Sequence, residues 1–132
     1  MTFTMPSNLL RLALIADAIA SGVTGLLMFA GAALLTGLLG LPEELLRYAG
    51  LVLLPFAAFV AFIGTRTDIP RAAAGTVVVV NFAWVAASVA LLVSGTVMPT
   101  MLGYAFVLAQ ALAVGVLAEL QWIGLRRESR TA

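Results

Sequence analysis

Apolar residues in this chain run in long stretches, and polar residues gather at the short breaks between them. The stretches cover roughly Leu12–Leu39, Leu45–Gly64, Ala72–Val93 and Pro99–Gly124. Each supplies the ~20 residues that cross a hydrocarbon core of about 30 Å at a helical rise of 1.5 Å per residue. The pattern predicts an all-α, polytopic membrane protein, a four-transmembrane-helix bundle. Its spans are expected at about 9–39, 44–64, 72–94 and 99–124. Residues 1–132 are expected to form a single transmembrane domain, ending in a frayed basic tail at 125–132. The first run is longer than the 7–15-residue apolar core of a signal peptide, so it is expected to stay as the first span.

The breaks carry helix punctuation. In Leu41-Pro42-Glu43-Glu44, proline takes an early helical position and the glutamates fall in the first turn, where the helix dipole favours negative charge. Met98-Pro99-Thr100 opens the fourth span in a similar way. The segment from Gly64 to Arg71 reads as a turn. Pro55 lies inside the second span and predicts a tolerated kink.

Charge then gives orientation. All seven basic residues are arginines. With four crossings, Arg11, Arg66, Arg71, Arg126, Arg127 and Arg130 fall on one side. Arg47 falls on the other, beside Glu43 and Glu44. Short arginine-rich loops stay cytoplasmic. Both termini are therefore expected in the cytoplasm, with the chain in a bacterial inner (plasma) membrane.

Composition removes whole classes of function. The chain is 63% hydrophobic and 10% charged, with mean hydropathy +1.14, against about 25% charged residues in ordinary soluble domains. Its solvent must be lipid. A net charge of +1 and the lack of a basic stripe exclude nucleic acid as a partner. With no cysteine and no histidine, disulfides, thiol chemistry, Cys-His zinc sites and His-based triads are excluded. No phosphate loop or carboxylate metal cluster is visible. The reading is no enzyme, no cofactor and no metal.

Small residues predict how the helices meet, because lipid tails remove the hydrophobic drive for helix association. The first span holds Ala18-x-x-x-Gly22 and Ser21-x-x-x-Gly25. The third holds Ala83-x-x-x-Ala87 and Ala86-x-x-x-Ala90. The fourth holds Ala105-x-x-x-Ala109-x-x-x-Ala113 and Ala111-x-x-x-Gly115. Close helix contact is expected in at least these three spans. The expected partners are the lipid bilayer and either a second copy or another membrane protein.

Polar groups inside spans are costly and mark candidate sites. Asp17 lies about 9 Å along the helix from Arg11, and Glu119 about 10 Å from Arg126, so both carboxylates should sit at similar shallow depth. Asn81 should lie slightly deeper. Ser21 shares a face with Asp17 at i, i+4. Asp17, Ser21, Asn81, Trp84 and Glu119 are thus candidates for an inward-facing polar vestibule, with Trp84 as a wall. Such a site suits a small oligomeric transporter or channel handling protons or cations. In the competing reading, Asp17 and Glu119 reach headgroups or neighbouring helices, and Asn81, Gln110 and Gln121 act as interhelical glue. The chain is then a non-enzymatic membrane protein that works through helix–helix association, as an accessory subunit or self-assembling module. This second reading is the leading expectation.

Several features together resemble small four-helix bacterial inner-membrane proteins of unassigned function. They are the hairpin pattern, the arginine-bearing inner loop, Asn81 and Trp84 in the third span, and the ending Leu120-Gln121-Trp122-Ile123-Gly124-Leu125-Arg126-Arg127. The resemblance implies architecture and nothing about activity.

Overall fold

The computed structural model describes the backbone of residues 4–131 and the side-chain surroundings of residues 9–127. Five helices follow in order: α1 (Thr4–Ala30), α2 (Ala32–Leu39), α3 (Glu43–Gly64), α4 (Arg71–Val93) and α5 (Met101–Thr131), with no strand among the described residues. Four of them carry segments long and apolar enough to cross a membrane: Leu9–Ala30, Glu43–Gly64, Arg71–Val93 and Met101–Arg127. Arg130, grouped above with the inner arginines, lies outside the residues whose side chains are described.

Two boundaries differ from the sequence expectation. The first run is not one helix over about 9–39, because it breaks at Gly31 between α1 and α2. The backbone there turns to φ −99° and ψ 13°, and a Cβ at Gly31 would stand 2.7 Å from the Leu27 carbonyl oxygen. Only glycine lets the carbonyl come that close. The C-terminal tail is the second difference. Rather than fraying after Gly124, α5 continues through Thr131. Gly124 is a packing glycine and not a helix stop: a Cβ there would lie 2.9 Å from the backbone of Leu10. Pro55 does not interrupt α3, which runs unbroken around it with the proline exposed.

The packing centres on α1, which lies against α3 on one side and α5 on the other. α4 packs on α5, meets α3 over a few residues, and has no close backbone approach to α1. The contact between α1 and α3 is the most extensive and depends on missing side chains. A Cβ at Gly50 would sit 2.6 Å from the Gly25 carbonyl oxygen and from the Phe29 nitrogen. Near the other end, a Cβ at Gly64 would lie 3.2 Å from Leu14 Cβ. Small residues thus set helix separation in this fold, as expected where dispersion and not water drives packing.

The apolar interior forms two clusters. One gathers Leu10, Leu14, Val60, Ile63, Ala74 and Val77. The other gathers Met28, Ala32, Leu39, Leu46, Leu53 and Val107. Polar contacts tie the two ends. At the arginine-rich end, the Arg11 guanidinium donates to the carbonyls of Gly64 (2.7 Å), Arg66 (2.6 Å) and Thr67 (3.3 Å). This satisfies carbonyls freed at the end of α3. Arg71 donates to the Leu125 carbonyl at 3.0 Å, joining α4 to α5. At the opposite end, Thr100 caps α5 by accepting from the Gly103 amide at 3.0 Å. Its hydroxyl donates to the Leu38 carbonyl at 2.8 Å, and its amide to Leu39 at 2.9 Å. Gly40 ends α2 in the left-handed region at φ 69°, a conformation glycine adopts without strain.

The glycines divide into two kinds, which predicts opposite outcomes for one substitution. Gly50→Ala should lower stability by about 1–3 kcal/mol, since its methyl meets backbone atoms that cannot move aside. Gly37 lies within α2 and a Cβ there would meet nothing within 4 Å. Gly37→Ala should therefore raise stability by about 0.5–1 kcal/mol. Denaturant titration of the full chain in detergent, followed by circular dichroism, checks both. Equal effects would contradict the packing described.

Candidate functional site

Between the two apolar clusters the interior turns polar. Asp17 of α1 is fully buried, at 0% exposure, and so is Gln121 of α5. Asn81 of α4 and Ser21 of α1 are buried beside them. Their side chains form a closed set. Ser21 donates its hydroxyl to Asp17 Oδ1 at 3.0 Å. Asn81 Nδ2 donates to Asp17 Oδ2 at 2.7 Å and to Gln121 Oε1 at 3.0 Å. Gln121 Nε2 donates to Asp17 Oδ2 at 2.9 Å and, at a longer 3.4 Å, to the Ala13 carbonyl.

Helical phase explains who joins. Asp17 and Ser21 are one turn apart on one face of α1. On α5, Gln121 shares its face with Ala111, Ala118 and Gly124, all buried. Asn81 shares its face of α4 with Ala74, Val77, Val78 and Ser88. Every described donor to Asp17 is a neutral hydroxyl or amide. The described ion pair is Arg47 with Glu43, on the surface of α3, and among the described residues no cation bonds to Asp17. Burial is tolerable because no buried side-chain nitrogen or oxygen among the described residues lacks a partner.

A second polar group lies toward the other end. The Trp84 indole N–H donates to Gln110 Oε1 at 2.7 Å. Gln110 Nε2 donates to Ser88 Oγ at 3.0 Å and to the Val107 carbonyl at 2.9 Å. Ser88 donates back to the Trp84 carbonyl at 2.8 Å. A cavity of about 110 Å³ lies between the two groups, bordered by Asp17, Ser21, Thr24, Trp84 and Gln110. Beyond Trp84 a larger, mainly apolar cleft of about 220 Å³ opens, lined by Leu45, Leu46, Ala87, Phe106 and Gln110.

Of the five residues singled out in the sequence, Asp17, Ser21 and Asn81 meet directly. Trp84 borders the same cavity as Asp17 and Ser21 without bonding to either. Glu119 stands apart. It is exposed, and lines a surface cleft with Phe82, Trp122 and Arg126. Among the described residues it makes no hydrogen bond or ion pair. Gln121 takes the third position in the cluster that Glu119 was expected to fill. The two are two residues apart, which turns them about 200° away from each other on a helix. Depth from Arg126 could not separate them. The buried stripe of Ala111, Ala118 and Gly124 was the signal that could.

The arrangement offers a carboxylate ringed by neutral donors. Among the described residues, no group of three or more acidic side chains is placed to hold a metal ion.

Asp17→Asn should be tolerated within about 1 kcal/mol. One amide oxygen can still accept from Asn81 and Gln121, and the new NH2 can donate to Ser21 Oγ. Asp17→Leu removes the acceptor shared by Ser21, Asn81 and Gln121, leaves the two amides only their bonds to Gln121 Oε1 and the Ala13 carbonyl, and should cost about 1–3 kcal/mol. Glu119→Gln should leave stability unchanged. Unfolding in detergent measures all three, and equal loss for Asn and Leu at position 17 would contradict the cluster. Comparison with protein-family models, with curated proteins and with solved structures returns no match.

Proposed function

We propose that this chain is a non-enzymatic integral membrane protein that acts through helix–helix association, as an accessory subunit or a self-assembling module. In this reading the four apolar helices form a transmembrane bundle in a bacterial inner membrane, with both termini cytoplasmic. One observation carries it: the alanine ladders of α4 and α5 lie outside. Ala83, Ala86 and Ala90 on α4 are exposed, as are Ala105 and Ala109 on α5. By contrast, Gly25 on α1 is buried against α3. In a membrane, close-approach faces of this kind favour a neighbouring helix over bulkier lipid chains. The polar cluster supports the same reading, since its members are saturated by one another.

A second reading has its own support. Asp17, Ser21 and Trp84 border the cavity of about 110 Å³, which has room for several waters. An oligomeric transporter or channel would use that cavity with Asn81 beside it. Glu119, on the outer surface, would have no part in it without rearrangement.

Two experiments test the proposal. Joint replacement of Ala83, Ala86 and Ala90 by leucine should abolish assembly while leaving the helices folded, as read by cross-linking in native membranes and circular dichroism. Retained assembly, with the Ala105 and Ala109 ladder also replaced, would overturn it. Orientation is accessible because the chain has no cysteine. A single cysteine at Thr96 should react with a membrane-impermeant thiol reagent in spheroplasts. One at Thr67 should react only after permeabilisation, and the reverse pattern would contradict the assigned sidedness.

A further inference from the structure

The seam between α4 and α5 holds a groove on the outer surface at the arginine-rich end. Its first part is a cleft of about 270 Å³. Arg71, Gly75 and Val78 line it from α4, and Trp122, Leu125 and Arg126 from α5. A second cleft, of about 470 Å³, shares Trp122 and Arg126 and extends to Phe82. From Arg71 to Phe82 the groove follows eleven residues of α4, about 16 Å along the axis. Half of a hydrocarbon core is about 15 Å.

Charge is confined to particular levels of this groove. Two guanidinium groups, Arg71 and Arg126, stand at its outer end, and both are exposed. Arg71 holds the Leu125 carbonyl at 3.0 Å with one nitrogen and keeps further donors free. Arg126 makes no hydrogen bond or ion pair among the described residues. The first turn of α4 begins at the same place, where backbone N–H groups and the helix dipole favour an anion. Below this level, apart from Glu119, the lining side chains are aliphatic and aromatic. Gly75 helps keep the floor open, because a Cβ there would only reach Leu125 Cδ2 at 4.0 Å. Glu119 lines the deeper cleft about 10 Å below Arg126.

We propose that this groove is a binding site for one anionic phospholipid. Its phosphate sits between Arg71 and Arg126, with Trp122 at the interface and one acyl chain along Val78 and Phe82. A headgroup phosphate matches the two guanidinium groups in charge and hydrogen-bonding geometry. The groove length matches one leaflet's chain. Glu119 contributes nothing favourable, and its charge opposes the phosphate. The site requires that the helices cross a bilayer, but not that they associate with a partner.

Native mass spectrometry of the detergent-solubilised full chain, titrated with phosphatidylglycerol, tests the proposal. Arg71→Gln and Arg126→Gln should each weaken the first lipid adduct about fivefold. Arg66→Gln is the control, an exposed arginine at the same end that does not line the groove, and should change nothing. Glu119→Gln should leave the adduct unchanged or strengthen it. Phosphatidylcholine should bind more weakly, and excess inorganic phosphate should not displace the lipid. If Arg71→Gln fails to fold by circular dichroism, Arg126→Gln carries the test, since that side chain makes no bond within the described chain. Equal loss with Arg66→Gln would overturn the site. So would displacement by inorganic phosphate, which would leave the acyl groove without a role. A dimer that dissociates on Arg126→Gln would also overturn it, by making the groove an interface between copies.

Discussion

The carboxylate of Asp17 is the point on which this architecture depends. The backbones of α1 and α4 make no close approach, yet the two helices are joined through Asn81 and Asp17 at 2.7 Å. The same oxygen receives Gln121 from α5. One buried group therefore links three helices, two of which have no close backbone contact. Such a group is costly to bury and is tolerable only when its lone pairs are occupied. Three neutral donors from α1, α4 and α5 occupy them. These bonds are directional, so the cluster also fixes the rotation of each helix about its axis.

Close packing supplies the rest of the cohesion. Where α1 crosses α3, Gly25 and Gly50 bring backbone to backbone, while Gly64 at the end of α3 and Gly124 within α5 bring those helices onto α1 at Leu14 and Leu10. The sequence Ile-Gly occurs at both places, Ile63-Gly64 and Ile123-Gly124, and each glycine faces α1. The division of labour is physical. Glycines set distance, because dispersion falls steeply with separation. Hydrogen bonds set rotation, because they are directional. The small residues of α4 and α5 that take no part in internal contacts are the ones left to meet lipid or another helix.

Much of this was legible in the sequence, and the exceptions have physical causes. The four long apolar helices follow from length and composition alone, because the hydrocarbon imposes both. Asp17, Ser21 and Asn81 stood out because polar groups in such helices need partners. The break at Gly31 was hidden because hydropathy does not register direction, and an alanine-, leucine- and glycine-rich run reads the same whether straight or bent. Hydropathy falls after Gly124 while the helix runs on through Thr131, and the missing side chain of Gly124 admits Leu10. Glu119 was paired with Asp17 by depth, but depth ignores phase. Gln121, two residues on, lies on the buried face, and a neutral side chain attracts less notice than a charged one. Small-residue motifs were legible as motifs, but not which of them would be used within the chain.

A sealed set of hydrogen bonds at Asp17 and a wetted vestibule there predict different exchange behaviour. The most direct measurement is hydrogen exchange of the Asn81 and Gln121 side-chain NH2 groups, followed by NMR on the full chain in lipid nanodiscs. A sealed cluster predicts slow exchange for both, comparable to backbone amides in the middle of α1. Exchange at the rate of exposed side-chain amides, such as free asparagine in buffer, would place water at Asp17 and contradict a sealed cluster.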